Sequence, residues 1–121
     1  MPVTGIGGVF FRAKDPKALH AWYREHLGVT TDDYAPWPQE AGPTVFMPFA
    51  ADTDYFPVEK QWMMNFRVSD LDGLIDQLRA AGIEVTTKPE WNTPETGRFA
   101  RIHDPEGNPL ELWEPPVETE T

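Results

Sequence analysis

The chain repeats itself at a spacing of 55 residues. Under that shift Phe11 falls on Phe66, Arg12 on Arg67 and Asp15 on Asp70, with Leu19 on Leu74 and Arg24 on Arg79. Gly28 and Gly82, which follow the two helical stretches, are offset by 54. Each copy has the same order: an alternating strand, an aspartate cap, a helix with an apolar stripe, a glycine stop and further extended segments. Two such units pair their sheets into one curved surface, with helices outside and a concave face inside. The expected fold is α+β: a curved, cupped mixed sheet with helices near 16–27 and 71–81 on its convex side.

In the first copy, Gly5 to Ala13 is expected to be a strand, with Val9, Phe11 and Ala13 on one face and Gly8, Phe10 and Arg12 on the other. Gly5-Ile6-Gly7-Gly8 opens a strand and does not join a strand to a helix, so it is not a nucleotide loop. Asp15 followed by Pro16 is an N-cap with proline at the first helical position. Ala18, Leu19, Trp22, Tyr23 and Leu27 share a helical face, and Gly28 stops the helix. Residues 29–60 are the least legible. Strands are expected over Val29–Asp33 and Thr44–Phe49, with prolines breaking the remainder.

In the second copy, Trp62 to Val68 alternates Met64, Phe66 and Val68 against Met63, Asn65 and Arg67. Asp70 caps a helix whose Leu71, Leu74, Ile75 and Leu78 follow helical spacing. Ile83 to Thr87 starts another strand, and Lys88 to Gly97 is a loop carrying Trp91, long enough to act as a flap. Residues 115–121 form an acidic, proline-containing tail that is expected to be disordered.

Asp104-Pro105-Glu106-Gly107 has the residues that a type I turn asks for. With Ala100 and Ile102, and Leu110 and Leu112, facing one core, the register pairs Ile102 with Leu110 and Ala100 with Leu112. Arg101 then faces Glu111, and Phe99 faces Trp113, on the opposite, ligand-facing side.

A length of 121 residues fits one domain, and 40% hydrophobic with 25% charged residues is globular. A net charge of −10 disfavours a nucleic-acid partner, because a phosphate backbone would be repelled. The absence of cysteine excludes disulfides, thiolate metal sites and a cysteine nucleophile. There is no apolar run of membrane-spanning length, and Met-Pro-Val-Thr lacks the basic-then-apolar order of an export signal. A cytoplasmic protein with no membrane partner is the expectation.

The repeated unit, ending in Asp104-Pro105-Glu106-Gly107-Asn108-Pro109-Leu110-Glu111-Leu112, resembles the glyoxalase/bleomycin-resistance/extradiol-dioxygenase superfamily, also called vicinal oxygen chelate. The resemblance implies two βαβββ modules, about 4–60 and about 61–114, within a single domain over 1–121, and commonly a homodimer. Its members include isomerases, dioxygenases, thiol transferases and antibiotic-binding proteins, so it speaks for fold more than for activity. Metal-dependent members hold a divalent ion from four strand positions. Carried over, these fall on Gly8, on the strand around Val45 to Met47, on Met63 and on Glu111, and only Glu111 is a ligand type. One carboxylate is too few for a zinc or hard-cation site, so no cofactor is expected. His20 and His26 are six residues apart on a helix and do not share a face.

The expected ligand-facing set is Phe10, Arg12, Met63, Asn65, Arg67, Phe99, Arg101, Glu111 and Trp113. Glu111 is read first as an ion pair with Arg101, helped by Arg12 or Arg67, and second as a lone general base or a vestigial metal ligand. Arg12 and Arg67 either fork onto a ligand oxygen or hydrogen-bond to Asn65, Glu111 and backbone. His103 is read as a rim residue, with acid/base catalysis as the second reading. Trp22 is assigned to the core or to a helix interface. Two function classes follow. One is a protein that binds a small organic ligand, such as an antibiotic or metabolite, without a complete metal site. The other is a lyase, isomerase or dioxygenase working through a rearranged metal site or through His103 or Glu111.

Overall fold

The computed structural model describes residues 2–29 and 36–116. The strand expected over Val29–Asp33, beyond its first residue, and the tail beyond Pro116 lie outside the described residues. The elements are α1 (Pro16–Leu27), β1 (Met64–Arg67), α2 (Leu71–Ala80), a 3-10 turn (Pro89–Trp91), β2 (Arg98–His103) and β3 (Pro109–Glu114).

Both helices begin as their caps dictate. The Asp15 carboxylate accepts from Ala18 N, and the Asp70 carboxylate accepts from Gly73 N, each at 3.1 Å. Gly28 ends α1 at φ 67°, a conformation that side chains disfavour, with its N–H on the Arg24 carbonyl. The matched caps are the clearest outcome of the repeat.

The sheet is mixed, in the order β1-β3-β2, with β1 parallel and β2 antiparallel to the central β3. The hairpin register is the one expected from alternation: Ile102 opposite Leu110, Ala100 opposite Leu112, Arg101 opposite Glu111, Phe99 opposite Trp113. Ile83–Thr87 is reduced to one antiparallel bridge, Thr86 to Arg101. The described sheet is therefore small and mixed, with residues 83–87 supplying only a minimal edge.

One sheet face supplies Ala100, Ile102, Leu110 and Leu112 to a cluster completed by Leu19 and Tyr23 of α1 and by Leu71, Ile75 and Leu78 of α2. Trp22 is partly buried against the same cluster, edge-on to Tyr23. Both helices thus cover one face, which leaves the other, with Arg101 and Glu111, for a site.

The first copy departs from expectation. Residues 5–13 and 44–49 form no strand. A strand is defined by hydrogen bonds to a neighbour, and these segments have no partner strand among the described residues. The alternation survives in part: Phe11 meets Tyr23 edge-on and Ala13 packs on the core, while Phe10 is 96% exposed. The described fold is α+β with a small open mixed sheet and two helices.

The Asp-Pro-Glu-Gly-Asn turn is held by its first residue. Asp104 Oδ1 accepts from the N–H groups of Glu106 and Asn108 at 2.9 and 3.0 Å. Oδ2 accepts from Asn108 Nδ2 at 2.8 Å and from the buried Tyr23 hydroxyl at 2.7 Å. Gly107, at φ 82°, lets the chain return to β3. The Glu106 carboxylate reaches back to the N–H groups of Lys14 and Asp15, fastening the turn to the start of α1.

Candidate functional site

Across the register, Arg101 and Glu111 stand side by side, but the expected ion pair between them does not form. Glu111 Oε2 accepts from the Tyr55 hydroxyl, and Oε1 accepts from Asn65 Nδ2 at 2.7 Å. The Arg101 guanidinium instead donates from Nη2 to the Tyr55 carbonyl at 2.9 Å. It lies 4.9 Å from the Tyr55 ring centroid and 5.9 Å from that of Trp91. Tyr55 separates the two charges by offering its hydroxyl to one and its carbonyl and ring to the other. Hydrogen bonds to a buried carboxylate and a stacked guanidinium replace the direct pair.

Tyr55 is the residue the sequence reading missed. It sits in Asp52-Thr53-Asp54-Tyr55-Phe56-Pro57, inside the segment where prolines erase any periodicity. The Thr53 hydroxyl accepts from Tyr55 N, and Phe49 packs on both Tyr55 and Phe56. The only signal in the sequence is an aromatic with a polar tip in a turn-rich stretch.

A cleft of about 590 Å³ opens beside this cluster, lined by residues 52–58 with Arg101 and His103. His103 is exposed at that cleft, in keeping with a rim position. Trp91 of the expected flap packs against Tyr55 and Arg101, at the edge of the same cluster.

The other anticipated residues are distributed. Asn65 joins Glu111. Arg67 is drawn away: Nη1 donates to the Pro43 carbonyl at 2.6 Å and Nη2 to the Glu40 carbonyl at 2.8 Å. Its expected alternatives included backbone, and backbone of residues 40–43 is what it holds. Phe99 and Trp113 stack on each other, centroids 6.3 Å apart, and Trp113 Nε1 donates to the Thr96 carbonyl. Met63 is half-buried, whereas Phe10 and Arg12 are exposed. Equivalence in the repeat therefore does not bring Arg12 and Arg67 together on one ligand.

Burial, reinforced by the hydrogen bond to Glu111, pushes the Tyr55 hydroxyl up to about 12. Burial and then Asp104 raise Tyr23 still further. Because the folded value is raised, the protonated tyrosine stabilises the fold, fully so below the ordinary value near 10. That contribution is lost as pH climbs through about 12. In a 295 nm absorbance titration, wild type and Tyr55→Phe are expected to coincide up to about pH 11. A smaller amplitude for the variant near pH 10 would show Tyr55 to be freely ionising.

A family model described as a glyoxalase-like domain matches residues 8–113. No curated protein matches the sequence. Among solved structures, the chain is similar to TnmS3, an antibiotic-binding protein from Streptomyces sp. CB03234, at 26% identity and TM-score 0.60, over 95% of this chain and 98% of that one. It is similar to lactoylglutathione lyase from Agrobacterium tumefaciens at 24% identity and TM-score 0.61, over 94% and 96%. It is also similar to the oxidase ChaP-H2 at 23% identity and TM-score 0.52, over 88% and 90%. The last two speak for the fold alone.

Proposed function

We propose that this chain, which belongs to the glyoxalase-like domain family and so to the glyoxalase/bleomycin-resistance/extradiol-dioxygenase superfamily, binds a small organic ligand and lacks a complete metal site. The observation that carries this is the state of Glu111. It is the one ligand-type residue at the positions carried over from metal-dependent relatives, and both its oxygens are committed to Tyr55 and Asn65. Gly8 has no side chain, Met63 offers a thioether, and Val45-Phe46-Met47 contains neither imidazole nor carboxylate. Among the described residues no three His, Asp or Glu side chains converge. Such a donor set does not fit zinc or a hard divalent cation.

Similarity to an antibiotic-binding protein supports sequestration of an antibiotic or metabolite as the role. The cleft beside Arg101 is of ligand size. The alternative, a lyase, isomerase or dioxygenase using acid/base chemistry, draws on His103 standing at that cleft. Among the described residues no helix is long and apolar enough to cross a membrane, and a cytoplasmic location belongs to the same proposal. So does a single domain with modules at about 4–60 and 61–114, the first completed in a homodimer.

Elemental analysis of protein purified without added metal tests the reading. Below about 0.1 equivalents of zinc, nickel, manganese or iron is expected. Stoichiometric metal that disappears in Glu111→Ala would restore the metalloenzyme.

A further inference from the structure

We propose that Arg101 is the anchor for an anionic oxygen, a carboxylate, phenolate or enolate, on a flat apolar ligand bound in the cleft; this deepens the binding reading above and rests on it. A guanidinium carries five N–H donors and an obligatory positive charge. Here one donor goes to the Tyr55 carbonyl, and Nε, which is buried, has no hydrogen-bond partner. A buried donor left unpaired is costly, and an acceptor on a bound ligand is one way to satisfy it.

The charge also lacks a direct partner. Each oxygen of Glu111, its neighbour in register, accepts from Tyr55 or Asn65 instead, and among the described residues Arg101 makes no ion pair. The ring faces of Tyr55 and Trp91 attract the cation and fix its plane without neutralising it. Asp52 and Asp54 line the same cleft but are exposed, so solvent and salt screen them far more than a half-buried guanidinium. Phe56, Pro57 and Val58 supply apolar wall for the body of the ligand. Arg67 cannot play this part, because its guanidinium is spent on the backbone of residues 40–43.

The probes are 2-naphthoate, its neutral isostere 2-naphthamide, and 2-naphthylmethylammonium, titrated by calorimetry into wild type, Arg101→Met and Arg101→Lys. Naphthoate is expected to bind wild type about tenfold more tightly than naphthamide, as befits one charge-assisted hydrogen bond. The ammonium should bind most weakly. The preference should fall below about twofold in Arg101→Met and be partly kept in Arg101→Lys. In wild type, naphthoate should also shift the Arg101 Nε–H resonance and naphthamide should not, a readout independent of whether a variant folds. Equal affinity of naphthoate and naphthamide, a preference that survives in Arg101→Met, or an unmoved Nε–H resonance would each overturn the anchor while leaving the binding reading intact. Failure of all three probes to bind up to about millimolar concentration would overturn both.

Discussion

Replacing Asp104 with alanine is expected to destabilise the protein by about 3 kcal/mol or more. The carboxylate is 4% exposed and gathers four donors: two backbone N–H groups of the turn, the Asn108 amide and the Tyr23 hydroxyl. Its loss leaves the tyrosine hydroxyl in the core with no acceptor, and the turn with unpaired N–H groups. Each such group costs about 1–3 kcal/mol where water does not replace the partner. The turn also joins β2 to β3 and, through Glu106, grips the start of α1, so the effect reaches both layers. Tyr23→Phe removes one of the four bonds and should cost about 1 kcal/mol. Urea unfolding with an unchanged slope measures both. A loss under about 1 kcal/mol for Asp104→Ala would mean that the turn holds its shape without its first residue.

In sedimentation at concentrations on the order of tens of micromolar, the protein is expected at twice its 13.8 kDa chain mass. The reason is where the apolar residues lie. Val3, Ile6, Val9 and Phe10 are more than half exposed, and so are Val45, Phe46 and Met47, in two segments that form no strand. Monomers rarely leave so much apolar surface in water, and a second chain would cover it. Phe10 and Phe46, at 96% and 79% exposed, contribute nothing to the packing of one chain. Phe10→Asp combined with Phe46→Asp should weaken dimerisation by about a hundredfold or more, since each apolar ring buried is worth roughly 2 kcal/mol. The stability of the α2–sheet core should be unaffected. A wild-type monomer at these concentrations would overturn the dimer.

Arg67 shows where a repeat stops being informative. Its match to Arg12 is exact in spacing, yet Arg67 is tied to residues 40–43 while Arg12 lies exposed. A repeat transmits backbone pattern, which is local. The long, flexible side chain settles on whatever acceptors the rest of the fold brings near, and the two copies bring different ones. The same holds for Phe99 and Trp113, whose opposition follows from register but whose stacking, 10° from parallel, is a matter of packing.

The sequence by itself determined what depends on neighbours a few residues apart. Asp15 with Pro16, and Asp70, set where the helices begin; Gly28 sets where α1 ends; alternation on both sides of Asp104 to Gly107 sets the hairpin register and which face is buried. These are steric and hydrogen-bonding preferences that act over one turn or one pleat. Only the tertiary structure decided that Tyr55 comes between Arg101 and Glu111, that Arg67 turns to the backbone of residues 40–43, and that residues 5–13 find no partner strand among the described residues. Those outcomes depend on groups 24 to 56 residues apart meeting across a proline-broken segment with no periodicity to read. Their energies come from desolvation and from hydrogen bonds completed only after the sheet and helices have packed.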